Sequence, residues 1–164
     1  MSNVHQISGR TAEEAMDEAA KRIRQCREIA AACKRLAASP LAGRVVNGSL
    51  APQLEALFPE YKTRYSASDN NRKHKGVYLI TDRENGTRES HYIPLGDIEQ
   101  KRISKERLLE YAEEKTKEAS QYEAALERFP AALAQYNNIV PYVQDLRNQL
   151  MTLMLLTRYS YRDF

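Results

Sequence analysis

Residues 62–95, KTRYSASDNNRKHKGVYLITDRENGTRESHYIPL, decide how this chain folds. Two runs rich in β-branched and aromatic residues flank the turn pair Asn85-Gly86, a pattern typical of an antiparallel hairpin. The expected elements are a strand at 62–67, a polar, basic loop at 68–75, and hairpin strands at 76–82 and 89–95. Together they form a basic β-ribbon, which we expect to be inserted into an otherwise helical protein.

The charges of the hairpin indicate its register. A two-residue loop would place Arg83 opposite Arg88, and like charges directly opposite each other are destabilising. A three-residue loop with Gly86 at a bulge instead pairs Asp82 with Arg88. This register also pairs Tyr78 with Tyr92 and Val77 with Ile93. The face predicted to pack on the helices carries Val77, Leu79, His91 and Ile93, and the other face carries Tyr78, Ile80 and Tyr92.

Helical patterns surround the ribbon. Residues 11–38 begin with a capping box at Thr11 and keep a 4-3 spacing of small apolar residues, which predicts a helix with a narrow packing seam. That seam comprises Ala12, Met16, Ala19, Ile23, Cys26, Ala30, Cys33 and Ala37. Ser49 is expected to cap a short helix at 50–58. Residues 103–157 return to the 4-3 spacing, with two prolines among them.

Proline removes a backbone hydrogen bond and clashes with the preceding helical turn. Pro130 and Pro141 are therefore expected to break or kink the C-terminal segment, giving helices at about 103–129, 131–139 and 141–157. With 42% hydrophobic and 29% charged residues in 164, the composition is that of a folded protein. The prediction is one α+β domain, mostly α: a helical bundle with long helices and a small inserted antiparallel sheet.

The two cysteines indicate a reducing compartment. On one helix Cys26 and Cys33 would lie about 10 Å apart, too far for a disulfide. The simplest interpretation is that both are small buried residues in a cytoplasmic protein. Residues 1–10 lack the apolar core of a signal peptide, and no run of apolar residues is long enough to span a membrane.

Basic residues concentrate on the ribbon and at the start of the long helix, where cations oppose the helix dipole. Tyrosines lie between them, and this combination is typical of phosphate contact with base stacking. The candidate nucleic-acid-binding residues are Lys62, Arg64, Arg72, Lys73, Lys75, Tyr78, Tyr92, Lys101, Arg102 and Lys105. The net charge of the chain is only +3, so ordinary solubilising charge is the alternative.

Residues 150–156, LMTLMLL, are apolar on nearly every side of a helix, and three aromatic residues follow them. Such a helix is either deeply buried or covered by a partner. The candidate protein-interface residues are Leu150, Leu153, Met154, Leu156, Tyr159 and Tyr161. The alternative is one helix of a well-packed bundle, followed by a loose tail.

The sequence gives little support for a catalytic function. His91, Tyr92 and Arg88 are the candidate groups, but adjacent residues of a strand point to opposite faces, so His91 and Tyr92 would not share a site. The histidines are scattered and no metal-ligand spacing occurs. We expect no enzyme activity, no cofactor and no metal.

The order of motifs resembles that of small uncharacterised proteins of bacterial mobile elements and phages. Gly48-Ser49-Leu50 is followed by the basic strand, the tyrosine-containing hairpin, Tyr92-Ile93-Pro94 and a charged helix, so the resemblance covers about residues 47–129. The chain departs from that pattern in its polar Asn70-Asn71 loop and in lacking an appended nuclease after Phe129. The resemblance implies a mobile-element or phage context and no defined chemistry.

Two functions are expected from these features. The first is a non-catalytic binding protein of a mobile element or phage, which contacts nucleic acid or a nucleoprotein through the basic β-ribbon. The alternative is a protein–protein interaction factor, such as an assembly or inhibitor protein, that acts through its helices, either as a monomer or as an oligomer.

Overall fold

The computed structural model describes residues 12–46, 50–66, 74–97 and 102–160 of the chain. Three helices and three strands follow one another as α1 (Ala12–Ala38), α2 (Ala51–Leu57), β1 (Lys62–Ser66), β2 (His74–Asp82), β3 (Arg88–Asp97) and α3 (Lys105–Ser160). The predicted α+β class, mostly α with a small antiparallel sheet, is confirmed. The predicted caps Thr11 and Ser49 lie outside the described residues.

The three strands form one antiparallel sheet in the order β1-β2-β3. The predicted register of the hairpin is confirmed: Asp82 pairs with Arg88, and the two tyrosine and two aliphatic pairs follow from it. The Arg83 N–H donates to the Thr87 carbonyl at 2.8 Å, and the Gly86 N–H donates to the Arg83 carbonyl at 2.9 Å. Gly86 adopts φ 79°, the left-handed conformation that a bulged loop requires.

A hydrophobic core, whose residues come from between Ala30 and Ala112, lies on one face of this sheet. Val77, Leu79 and Ile93 are fully buried there and His91 is nearly so, as the alternation of the strands predicted. The same core receives side chains from α1, α2, the first turns of α3 and the residues next to these helices, among them Leu36, Leu54, Phe58, Ile103 and Leu108. The inner face of the sheet is therefore occupied, and only its outer face is available to a ligand.

Helix α1 contributes a seam of small residues to this core. Cys26, Ala30, Cys33 and Ala37 are buried, whereas the earlier members of the predicted seam are half-buried. Both cysteines are free and buried, as predicted. Burial raises the pKa of the Cys33 thiol to about 12, which leaves it protonated and unreactive at neutral pH.

A short segment leads from the sheet into α3. The Ile103 N–H donates to the Arg44 carbonyl, the Gly43 N–H donates to the Ile103 carbonyl, and the Ser104 N–H donates to the Leu95 carbonyl, each at 2.9 Å. The Ser104 hydroxyl then accepts a hydrogen bond from the Arg107 N–H at 3.2 Å, which is the geometry of a helix N-cap. Helix α3 is thus anchored to β3 at its start.

The chain falls into two compact units, Met1–Glu123 and Ala124–Phe164, where the sequence predicts one domain. Helix α3 contains both Pro130 and Pro141, so the predicted division into three separate helices is wrong. Each proline forfeits one backbone hydrogen bond, but water can reach the carbonyls left over, since the residues around both prolines are mostly exposed. Among the described residues, no helix has both the length and the hydropathy needed to cross a membrane.

Candidate functional site

The outer face of the sheet brings together four of the predicted nucleic-acid-binding residues. The register places Lys62 beside Ile80, Arg64 beside Tyr78, and Tyr78 beside Tyr92, so that their side chains share one face. The Arg64 guanidinium lies 5.0 Å from the centre of the Tyr78 ring, within the range of a cation–π contact. The Tyr78 and Tyr92 rings lie 5.3 Å apart with an angle of 55° between their planes. An arginine and two tyrosines therefore form a row across the three strands.

Gly76 shapes the end of this row. A Cβ atom at Gly76 would lie 2.1 Å from the Tyr92 ring, so the ring rests against the backbone of β2. Only glycine leaves that space open, and the strand register shifts between Lys75 and Gly76. The ring of Tyr92 is consequently held against the sheet and is half-buried.

Two further cations border the row. Asp82 accepts hydrogen bonds from Lys62 at 3.2 Å and from Arg88 at 3.0 Å. The hydrogen bond from Arg88 contributes most to lowering the pKa of this carboxyl, and that from Lys62 adds to it. Three cations face one carboxylate on this surface, which leaves the outer face of the sheet with excess positive charge.

The remaining predicted nucleic-acid-binding residues are distributed differently. Arg72, Lys73 and Lys101 lie outside the described residues, as does the side chain of Lys75. Arg102 donates a hydrogen bond to the Gly43 carbonyl at 3.0 Å and thus lies against the loop after α1. Lys105 is exposed in the first turn of α3. Among the side chains that the structure describes, the predicted basic residues that share one surface are Lys62 and Arg64 of β1.

The second unit carries an extended apolar surface on α3. Ten large hydrophobic side chains between Tyr136 and Leu155 are each about half exposed or more. They include three of the predicted protein-interface residues, namely Leu150, Leu153 and Met154. The side chains of Leu156 and Tyr159, and Tyr161 altogether, lie outside the described part of the chain. Contiguous apolar surface of this size is unusual on a protein that acts alone and is typical of an interaction site.

A partly buried ion-pair network, which the sequence patterns do not predict, links α1 to the hairpin. Glu89 accepts two hydrogen bonds from Arg24, at 2.7 and 3.0 Å, and two more from Arg83, at 2.8 and 3.0 Å. Glu28 accepts a hydrogen bond from Arg83 at 2.7 Å and contacts His91 Nε2 at the same distance. The one available indication was that Arg24 and Glu28 lie four residues apart on α1, while Arg83 and Glu89 flank the hairpin loop.

The chemistry of this network argues for a structural role. Glu28, Glu89 and His91 bring three possible metal-ligand atoms within 4.8 Å of one another. However, the hydrogen bonds from Arg24 and Arg83 already balance the two carboxylates, and a metal ion would have to approach both guanidinium groups. The arrangement fits a set of ion pairs that holds α1 against the hairpin better than it fits a metal site.

The histidine of the network is not placed for catalysis either. His91 is buried and packs edge-on against Tyr61, with ring centres 6.2 Å apart. Tyr92 and Arg88 lie on the opposite, outer face, so the prediction that His91 and Tyr92 would not share a site is confirmed. No protein-family model, curated protein or solved structure matches this chain.

Proposed function

We propose that this protein is a protein–protein interaction factor that acts through the exposed part of α3. The observation that carries the proposal is the apolar surface between Tyr136 and Leu155, where Leu146 and Tyr142 are 67% and 78% exposed. Burying a Leu-sized side chain fully contributes roughly 1.5–3 kcal/mol. Several such side chains on one helix provide enough free energy for a specific complex, even after the costs of association.

The composition of this surface also favours a protein partner over nucleic acid. From residue 125 to residue 153 the only charged residues are Glu127, Arg128, Asp145 and Arg147, which sum to zero. Phosphate recognition requires an excess of cations, which this part of α3 lacks. Aliphatic and aromatic residues with few charges are characteristic of the buried centre of a protein interface.

The proposal includes two further properties: the protein is not an enzyme, and it acts in the cytoplasm. The absence of catalysis is supported by His91, because its side chain is buried and in contact with the Glu28 carboxylate. The two free, buried cysteines support the second, because a reducing compartment keeps thiols unpaired. The mobile-element or phage context implied by the resemblance stays a prediction.

Introducing charge into the apolar surface should abolish partner binding. In the double variant Leu146→Glu/Leu150→Glu, two carboxylates would have to be buried in the complex, so we expect at least about a tenfold loss of bound partner. The measurement is affinity capture with the tagged full chain, quantified for each bound protein, including untagged copies of the chain itself. The double variant Gln144→Glu/Asn148→Glu is the matched control, because it adds the same charge at exposed polar positions of the same helix. Equal capture by both variants would contradict the proposed function.

A second candidate function is nucleic-acid contact through the outer face of the sheet. The row of Arg64, Tyr78 and Tyr92, bordered by Lys62 and Arg88, favours it. Aromatic rings can stack on bases while the arginine contacts a phosphate. The basic β-ribbon would then serve as a second binding surface on the first unit.

Removing Arg64 tests this second candidate. Arg64→Ala should weaken binding of a fluorescent single-stranded DNA or RNA about tenfold at low salt, and lower the salt dependence by about one phosphate contact. Fluorescence anisotropy over a salt series measures both quantities. Arg44→Ala removes the same charge from an exposed arginine in the loop after α1 and serves as the control. If both variants bind as the unmodified chain does, the outer face is not a nucleic-acid site.

A further inference from the structure

The apolar residues of the second unit form an uninterrupted seam along α3. Alternating steps of four and three residues, starting with Ala125, meet an apolar residue at every position through Leu153. The members of the seam are Ala125, Phe129, Ala132, Tyr136, Ile139, Val143, Leu146, Leu150 and Leu153. From Ile139 onwards each is between 56% and 67% exposed. A 4-3 repeat sustained over this length is the pattern by which one helix packs along another.

Before Leu150, the opposite side of the helix is mostly polar and holds both prolines. With the seam assigned to heptad positions a and d, Pro141 and Asn148 occupy position f, directly opposite, and Pro130, Asn137 and Gln144 occupy position b beside it. A proline at an outer position keeps its ring out of the seam. Neither proline ring therefore lies on the surface against which a second helix would pack.

The residue types of the seam favour a pair of helices. Position a holds Phe129, Tyr136, Val143 and Leu150, whereas position d holds Ala125, Ala132, Ile139, Leu146 and Leu153. The large residues at a can interdigitate with the two alanines at d, and Val143 at a followed by Leu146 at d is the combination that favours two strands. No seam position carries a charge that a facing helix would have to neutralise.

The charges next to the seam are compatible with an identical partner. Glu127 and Asp145 lie at outer positions, and the two arginines, Arg128 and Arg147, flank the seam on opposite sides. In a parallel pair Arg128 would face Leu133 of the second copy, and Arg147 would face its Tyr142. Two copies of this near-neutral segment therefore meet without like-charge repulsion along the seam.

The length of the seam matches the size of a stable interface. From Ala125 to Leu153 a helix extends about 42 Å at 1.5 Å per residue. Half the circumference of a helix about 12 Å wide is roughly 19 Å, so one side of this segment presents about 800 Å². That is the area each partner buries in a standard protein–protein interface.

We propose that the partner of this seam is a second copy of the chain, and that two α3 helices pack seam to seam as a two-stranded coiled coil. The inference rests on the proposed interaction function and names its partner. It makes self-association a property of the second unit.

Sedimentation equilibrium of the purified full chain over a range of concentrations tests the proposal. We expect a dimer that dissociates on dilution, and a dissociation constant at least about 100-fold higher for Leu146→Glu/Leu150→Glu. Gln144→Glu/Asn148→Glu should dimerise as the unmodified chain does. Because buried charge could also disturb folding, Leu146→Ala/Leu150→Ala provides a second variant that keeps a strong helix former at both positions and should weaken the dimer while preserving helical circular dichroism.

The outcomes separate this inference from the function on which it rests. A monomer at every concentration would overturn self-association, yet if the seam variants then lose a captured protein of another kind, the interaction function stands. A dimer that neither the charged nor the alanine seam variant weakens would place the dimer interface elsewhere and overturn the inference. Unchanged capture of all proteins by the seam variants would contradict the interaction function as well.

Discussion

Replacing Gly96 with alanine should destabilise the first unit by about 3 kcal/mol, toward the upper end of the cost of overpacking. A Cβ atom at Gly96 would lie 2.1 Å from the Arg102 carbonyl oxygen, which belongs to the backbone and cannot rotate away. The clash would push aside the segment that bonds to Leu95 and holds Ile103 in the core. Urea unfolding followed by circular dichroism measures the loss.

Gly86→Ala is the control for this prediction. Gly86 also needs glycine, but for its φ of 79°, and a Cβ there would meet open space. Replacing Gly86 with alanine should lower the free energy of unfolding by only about 1 kcal/mol, because alanine adopts a left-handed conformation at that cost. If Gly96→Ala is no less stable than Gly86→Ala, the close approach between β3 and residues 102–104 does not determine the stability of this corner.

The hairpin shows how much local sequence can predict. Its register follows from Asp82 and Arg88, because a shift of pairing would place like charges opposite each other and move the apolar residues to the wrong face. Both effects act between residues close in sequence, so they are visible without a structure. The packing seam of α1 was predictable for the same reason, since the 4-3 spacing of its apolar residues is visible within one short stretch of sequence.

Contacts between distant segments were not predictable in this way. Glu89 looked like an ordinary strand residue, yet it is buried because α1 brings Arg24 to it across 65 positions of sequence. The same limit applies to α3, where Pro130 and Pro141 were expected to break or kink the helix and the helix continues through both. Local propensity disfavours proline in a helix, but it does not reveal whether the exposed helix around it is retained.

Removing the negative charge of Glu89 should have the second large effect. In Glu89→Gln an amide replaces a carboxylate that accepts hydrogen bonds from Arg24 and Arg83, leaving both guanidinium groups poorly paired. Breaking a buried ion pair from one side costs about 3–5 kcal/mol, and partial exposure of both arginines reduces the expected loss to about 2 kcal/mol at neutral pH. Glu84 is exposed in the loop between β2 and β3, so Glu84→Gln removes the same charge and should change stability little.

The pH dependence of that loss provides the sharper test. Hydrogen bonds from Arg24 and Arg83 lower the pKa of Glu89 from 4.5 to about 2, so the folded state binds this proton less readily than the unfolded state. The stabilisation from Glu89 is therefore complete above pH 4.5 and is lost as the pH falls toward 2. The difference in unfolding free energy between the unmodified chain and Glu89→Gln should shrink over that interval. If the difference in unfolding free energy stays constant from neutral pH to pH 2, the charge of Glu89 does not hold α1 against the hairpin.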